Sequence, residues 1–161
     1  VDALIIGGAC RRPIRFVTYE PIYRMPVLNF IFRTGKAIPI AGRKENPAAF
    51  EEAFNKIAQE LEDGEVVGIF PEGKLTSDGD INEFKAGIEK ILERTPVPVV
   101  PLSLGGLWGS FFSHSDGKAM AKIPQRFWSR VELKAGPAMA AVEVTAAKLQ
   151  EAVTQMRGSL R

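Results

Sequence analysis

The chain has 161 residues, 45% of them hydrophobic and 25% charged, which is the size and make-up of one ordinary globular domain with a sizeable core. A net charge of +2 excludes nucleic-acid binding through bulk charge, so any basic function lies in local patches. One cysteine, Cys10, excludes an internal disulfide and reads as a small apolar residue, and one cysteine with one histidine builds no typical zinc site.

In chain order, helix-like and strand-like segments alternate. Asp2 to Cys10 is an apolar run that predicts a short helix, and Ile14 to Tyr19, β-branched and aromatic, predicts a strand. Ile22 to Phe32 predicts a short helix interrupted by Pro26. Ala37 to Ile40 predicts a strand whose Pro39 favours an edge. The clearest helix begins at Asn46, a cap, with Pro47 in its first turn. Phe50, Phe54, Ile57 and Leu61 follow at helical spacing, and Asp63-Gly64 ends it. Val66 to Phe70 is apolar without alternation, the pattern of a buried strand. Phe84, Ile88, Ile91 and Leu92 mark another amphipathic helix, opened by Lys85. Val97 to Leu104 and Val131 to Ala135 predict strands, Thr145 caps a last helix through Met156, and Gly158 to Arg161 reads as a frayed end or linker. Strands separated by amphipathic helices argue for an α/β domain with a mostly parallel central sheet flanked by helices. Chemistry in such sheets sits where strands run out into loops at their carboxyl ends, here after Phe70 and after Leu104.

The segment after Phe70 is Pro71-Glu72-Gly73-Lys74-Leu75-Thr76. Proline ends the ladder because it has no N–H, and this leaves Glu72 at the strand's mouth. Gly73 permits a sharp turn and close backbone approach to a ligand. Backbone donors with Lys74, Thr76 and Lys85 are the groups that hold a phosphate. On residue chemistry alone, a solvated loop accounts for the same string.

The exact string adds more. Phe70-Pro71-Glu72-Gly73 resembles the third sequence block of the glycerol-3-phosphate and lysophosphatidate acyltransferase superfamily, which reads F-P-E-G-T-R-S. Val97-Pro98-Val99-Val100-Pro101-Leu102 is similar to the fourth block, a strand with prolines behind the site. Gly35-Lys36-Ala37-Ile38-Pro39-Ile40 with Arg43 resembles the second block, whose arginine contacts the substrate phosphate. Phe84-Lys85-Ala86-Gly87 is similar to the family's Phe-Lys-x-Gly. The resemblance is strong from Asp2 to about Leu104 and weak after it. It implies a glycerolipid acyltransferase-like fold for one domain, residues 1–161.

The first block of that superfamily is N-H-x-x-x-x-D, whose histidine is the general base and whose aspartate orients it. No such string occurs here, and His114 sits in a polar loop with Ala119, not an acid, five residues later. Asp2, followed by Ala3-Leu4-Ile5-Ile6, resembles the motif aspartate. The corresponding histidine is then expected five residues before it, and the chain, which opens at Val1 without an initiator methionine, reads as a fragment lacking its N-terminal segment and inactive by itself. The third block departs from the family where Lys74 and Leu75 replace threonine and arginine. A changed third block also occurs in acyltransferase domains fused to transporters or to acyl-carrier-protein ligases.

What the resemblance implies is transfer of an acyl group from acyl-CoA or acyl carrier protein to a hydroxyl of a lysophospholipid or acylglycerol phosphate. Asp2 and Glu72 are the expected catalytic residues, and Arg43, Gly73, Lys74, Lys85, Lys36 and Thr76 the expected substrate-binding ones. No cofactor beyond the acyl donor and no nucleic acid are expected. A G-x-S-x-G elbow is absent, which agrees with acyl transfer that never passes through the enzyme. The lipid acceptor implies work at the cytoplasmic side of a membrane, as a peripheral protein or as a domain of a membrane protein. Arg11, Arg12, Arg15, Arg24 and Arg33, interleaved with Phe16, Tyr19, Tyr23, Phe30 and Phe32, are candidates for a basic, aromatic lipid-facing surface, as is the loop Leu107-Trp108-Gly109-Ser110-Phe111-Phe112. Core aromatics and a solvated arginine face account for the same residues. The reading from another class is a non-catalytic lipid-binding or interaction module of a larger protein.

Overall fold

The computed structural model describes residues 2–24, 26–73, 80–106 and 131–158, with only the backbone of 26–28. Its elements, in chain order, are α1 (Asp2–Ala9), β1 (Ile14–Tyr19), α2 (Glu20–Tyr23), α3 (Pro26–Thr34), β2 (Ile38–Ile40), α4 (Pro47–Glu62), β3 (Val66–Gly68), α5 (Gly87–Arg94), β4 (Leu102–Gly105), β5 (Glu132–Ala135), a 3-10 turn (Ala141–Glu143) and α6 (Ala146–Arg157). They form two compact units. One holds Ala3–Phe70 with Lys90–Pro96; the other holds Asp2, Pro71–Glu89 and the chain from Val97 on.

The first unit is a three-stranded parallel sheet in the order β2-β1-β3. Val17 stands opposite Ile38 on one side of β1, and Phe16 opposite Gly68 on the other. Pro39 lies on an edge strand, where its missing N–H breaks no second ladder. Alternation along β1 divides the packing between two faces. Val17 joins Ile40, Val67 and Ile69 over the buried cluster of Ile38, Ala53, Phe54, Ile57 and Ile91, three of which (Ala53, Phe54 and Ile57) ride on α4. The opposite face carries Phe16, near Gly7 of α1: a Cβ on Gly7 would lie 3.6 Å from the Phe16 ring. Helices therefore cover both faces of the parallel sheet, as the sequence leads one to expect.

Caps explain where the helices stop. Asn46 accepts a hydrogen bond from the Ala49 N–H at 3.1 Å, and Pro47 occupies the first turn of α4. At its end, the Glu65 N–H bonds the Glu60 carbonyl and the Gly64 N–H bonds the Leu61 carbonyl, with Gly64 at φ +78°. That is the Schellman closure, in which a left-handed residue returns the chain toward the sheet. The expected single helix over Ile22 to Phe32 is two: α2 closes at Tyr23 with Arg24 as its cap, and Pro26 takes the first position of α3, where its missing N–H costs nothing.

Three expectations need correction. Arg15, read as a candidate for a basic lipid-facing surface, is 8% exposed and meets Glu60 at 3.4 Å and Glu65 at 3.2 Å. Its alternation with Val17 puts it on the α4 side of the sheet. The apolar run Val66 to Phe70 forms only a three-residue strand, half-buried, and Phe70 is 41% exposed with its ring stacked on Phe16 at 5.9 Å. The run Val97 to Leu104 is regular only from Leu102 on. Pro98 and Pro101 have no N–H to give, so Val99 alone makes a bridge there, to Met139.

The second unit pairs β4 and β5 antiparallel, Leu104 opposite Leu133, with α6 packed against β4. Thr145 caps α6 by accepting from the Lys148 N–H at 3.2 Å, and Glu89 of α5 accepts from the Ala146 N–H at 2.9 Å. Gly136 is a close approach: a Cβ there would lie 2.9 Å from Pro101 and 3.0 Å from the Met156 sulfur.

Two outcomes follow for stability. A Cβ on Gly68 would stand 2.8 Å from Ile14 and from the Phe16 ring, so Gly68→Ala is expected to cost about 1–3 kcal/mol in urea unfolding. The Glu60 carboxyl is held below its ordinary value of 4.5, first by the hydrogen bond from Lys56 and then by the charges of Lys56 and Arg15, against the cost of desolvation. A carboxyl depressed in the folded state contributes stability above about pH 4.5 and loses it as pH falls further, through the folded value. The urea midpoint should therefore drop on acidification below that point, and Glu60→Gln, less stable at pH 7, should show a smaller further drop.

Candidate functional site

The turn Pro71-Glu72-Gly73 follows the exit of β3 and is tied to the stretch before α5 by two backbone N–H groups, while a third N–H of that stretch ties it to α6. The Asn82 N–H donates to the Glu72 carboxylate at 2.7 Å. The Phe84 N–H donates to the Gln150 side chain on α6 at 3.0 Å. The Lys85 N–H donates to the Pro71 carbonyl at 2.9 Å. The amide of Asn82 also donates to Glu72, at 3.1 Å and to the same oxygen, Oε2. Phe84 is buried and holds this stretch in place, although α5 begins only at Gly87 and not, as its sequence suggests, at Lys85.

Gly73 sits at φ +63°, a conformation that costs other residues about 1–2 kcal/mol. A Cβ there would stand 2.8 Å from the Lys85 ammonium nitrogen, so that cation lies directly over the turn. Glu72, Gly73 and Lys85 thus come together: a half-buried carboxylate, a bare backbone turn and an exposed ammonium that has no ion-pair partner among the described residues. Lys74 and Thr76 lie outside the described residues, as do His114 and the Trp108 loop. Asp2 is half-buried in the first turn of α1.

Arg43 and Lys36 belong to the other unit and flank β2. Arg43 is exposed in the turn Gly42–Asn46, which the Glu45 and Asn46 N–H groups close onto the Gly42 carbonyl, each at 2.9 Å. The Glu45 carboxylate braces this turn by accepting from the Gly42 N–H at 3.2 Å and from the Tyr19 hydroxyl at 3.0 Å. The hydrogen bond to Glu45 pushes the Tyr19 phenol above its ordinary value, which keeps the donor protonated. With Glu45 so engaged, Arg43 has no ion-pair partner among the described residues.

Lys36 ends α3 in the way Gly64 ends α4. Its N–H bonds the Arg33 carbonyl, the Ala37 N–H bonds the Phe32 carbonyl, and its φ is +50°. Glycine is the ordinary residue at such a position, so a lysine here carries strain. It lines an open groove of about 330 Å³ with Ala37, Ile38, Pro39, Lys56 and Glu60.

A family model described as Acyltransferase matches residues 1–105. The chain belongs to the acyltransferase family. It is 36% identical over 83 residues to an N-acylphosphatidylethanolamine synthase of Arabidopsis thaliana, an overlap of 51% of this chain and 28% of that one. It is 28% identical over 103 residues to a chloroplastic 1-acyl-sn-glycerol-3-phosphate acyltransferase of Brassica napus, covering 64% of this chain and 29% of that one. To the 1-acyl-sn-glycerol-3-phosphate acyltransferase of Borreliella burgdorferi it is 28% identical over 104 residues, 65% of this chain and 41% of that one. The chain spans less than half the length of these relatives. The crystal structure of the 1-acyl-sn-glycerophosphate acyltransferase PlsC from Thermotoga maritima shares the fold. Its TM-score is 0.58 at 21% identity, over 88% of this chain and 54% of that one.

Within this acyltransferase-family chain, sequence reasoning missed Asn82, Gln150 and Glu45, and placed Tyr19 on a lipid-facing surface when its hydroxyl donates to Glu45. Each acts by bracing a site residue or its loop, and only Glu45, two residues after Arg43, carries a local hint. Lys36→Gly is expected to raise stability by about 1 kcal/mol in urea unfolding, because glycine takes a φ of +50° without strain.

Proposed function

We propose that the chain carries an O-acyltransferase site that moves an acyl group from acyl-CoA or acyl carrier protein to a hydroxyl of a lysophospholipid or acylglycerol phosphate. The observation that carries the reading is the turn Pro71-Glu72-Gly73: Glu72 is fixed by Asn82 and the Lys85 ammonium stands over Gly73, in a chain of the acyltransferase family. Two of the relatives above are named for acyl transfer to 1-acyl-sn-glycerol 3-phosphate, which supports a glycerol phosphate acceptor.

The acceptor hydroxyl is a poor nucleophile until a base takes its proton. With Asp2 as the motif aspartate, the base it orients is a histidine five residues before it. The hydroxyl oxygen then forms the new ester bond to the acyl carbon, the carbon–sulfur bond of the thioester breaks, and the proton passes from the imidazolium to the departing thiolate. Glu72 accepts a hydrogen bond from the acceptor's hydroxyls, a role for which a carboxylate has only acceptor oxygens to offer. Lys85 and Lys74 stand as point charges for the headgroup, with Gly73 leaving its backbone open, Thr76 adding a hydroxyl, and Arg43 and Lys36 as further phosphate ligands.

The acceptor is a lipid, and α2 and α3 provide a face that suits one. Phe30 is 75% exposed, with Ile22 and Ile31 also exposed and Arg24 and Arg33 beside them in the chain, although Arg24 is paired with Glu20. Apolar side chains flanked by cations suit the interface of an anionic leaflet. No helix among the described residues is long and apolar enough to cross a membrane. On this reading the site works at the cytoplasmic face of a bilayer, as a peripheral protein or as a domain of a membrane protein.

The test is thiol release from an acyl thioester in the presence of lysophosphatidate, with the chain extended upstream by a few tens of native residues. Activity is expected, and Glu72→Ala should lower kcat/KM by about 100-fold or more, as loss of a group that orients the reacting hydroxyl does. Full activity in Glu72→Ala, or no thiol release with either donor across several headgroups, would overturn the reading.

A further inference from the structure

We infer that Asn82 is the positioning residue for Glu72, and that it presents one carboxylate oxygen, Oε1, to the acceptor hydroxyl by occupying the other. The inference rests on the acceptor-binding role given above to Glu72. Two separate donors of Asn82 converge on one atom: the backbone N–H at 2.7 Å and the side-chain amide at 3.1 Å both reach Oε2. Oε1 has no hydrogen-bond partner among the described residues.

The backbone bond alone closes the loop between Glu72 and Asn82, and any residue at position 82 other than proline makes it. The side-chain bond adds something else. A carboxylate held by one donor rotates about its terminal bond, because that torsion is broad. A second donor on the same oxygen, from a different direction, fixes the plane of the group, and bonds to an ionised acceptor are strong enough to hold it. Asn82 is itself located from outside the loop. Two residues on, Phe84 is buried and its N–H is bound to Gln150 at 3.0 Å, and three residues on, the Lys85 N–H closes onto Pro71 at 2.9 Å. The plane of the Glu72 carboxylate is thereby referred to α6, the helix that carries Gln150.

Asparagine is also the residue type that the geometry demands. Its amide donates, whereas an aspartate there would face Oε2 with a second negative charge unless a proton lay between them. Two carboxylates at such a distance do not both ionise readily, and they titrate as a pair.

The experiment uses the full natural chain that carries these residues, assayed by thiol release with lysophosphatidate as acceptor. Asn82→Ala keeps the backbone bond and should lower kcat/KM for the acceptor by about tenfold, the worth of one hydrogen bond to a charged group, with KM for the thioester and the urea midpoint unchanged. Asn82→Asp should lose more at pH 8 and recover toward wild type as pH falls to 6, when a shared proton restores the bond; loss of packing alone gives no such recovery. In a Glu72→Ala background, Asn82→Ala should add nothing. Wild-type kinetics in the Asn82 variants, a pH-independent loss in Asn82→Asp, or an additive loss in the double variant would each overturn the inference while leaving Glu72 its role. Full activity in Glu72→Ala itself would overturn both.

Discussion

Gly68 has no side chain, and the exit of β3 depends on that. Ile14 and Phe16 on the neighbouring strand occupy the space a Cβ would fill, at 2.8 Å. Phe16, packed against Gly68, also stacks on Phe70, two residues beyond it. Phe70 is the last residue before Pro71, and at 41% exposed it is held less by burial than by that ring contact. The ladder has already ended at Gly68, and Pro71, with no N–H, does not let it resume. A glycine at the strand's end, a ring stack beyond it and a proline after that lead into the turn that carries Glu72.

From there the turn is held by hydrogen bonds more than by packing. Asn82, Phe84 and Lys85 each give an N–H, to Glu72, Gln150 and Pro71 respectively, so a stretch without regular structure is anchored at three points. The second unit closes the same account at α6. Its N-terminal donors go to the Thr145 hydroxyl and the Glu89 carboxylate, and a carboxylate at that end also meets the positive pole of the helix. A site built in this way tolerates an exposed lysine and an open glycine, because the backbone geometry beneath them does not rely on either side chain.

How much of this could be read from the sequence follows the range of each interaction. Asn46 with Pro47, and Thr145, mark helix starts within three or four residues, and both caps form at the expected positions. Ile14 to Tyr19 is a strand over the expected residues, since β-branched and aromatic side chains fit a pleated, half-buried surface. The string Phe70-Pro71-Glu72-Gly73 pointed to the turn, and Lys85 to the cation over it. What was not legible was set by partners far along the chain. Arg15 looked like one of several surface arginines, yet its ion-pair partner Glu60 is 45 residues away, and only the register of β1 against β3 decides which face it takes. Asn82 carried no motif at all, and Gln150 lies 66 residues from the N–H it accepts. The strand over Val97 to Leu104 was read too long because apolar content was weighed above the missing N–H groups of its prolines.

The same contrast sorts the cations, and it explains why a net charge of +2 says so little. Some positive side chains are used up by structure. Arg15 lies between Glu60 and Glu65, Arg94 meets Glu51 at 2.5 Å and Asn55 at 2.9 Å, and Arg12 reaches the Gly64 carbonyl at the end of α4. Arg15 ties β1 to α4, Arg12 ties the segment before β1 to the end of α4, and Arg94 ties α5 to α4. Arg43 and Lys85 are exposed and unpaired among the described residues, and each sits on a turn whose nearby carboxylate is already engaged elsewhere: Glu45 with Tyr19 and Gly42, Glu72 with Asn82. In both turns the carboxylate meets hydroxyl or amide donors and not the cation, so the cation stays available to an anion from outside. Lys44, exposed on the same turn as Arg43, shares that arrangement, which sets these cations apart from the arginines already held by Glu60, Glu65 and Glu51.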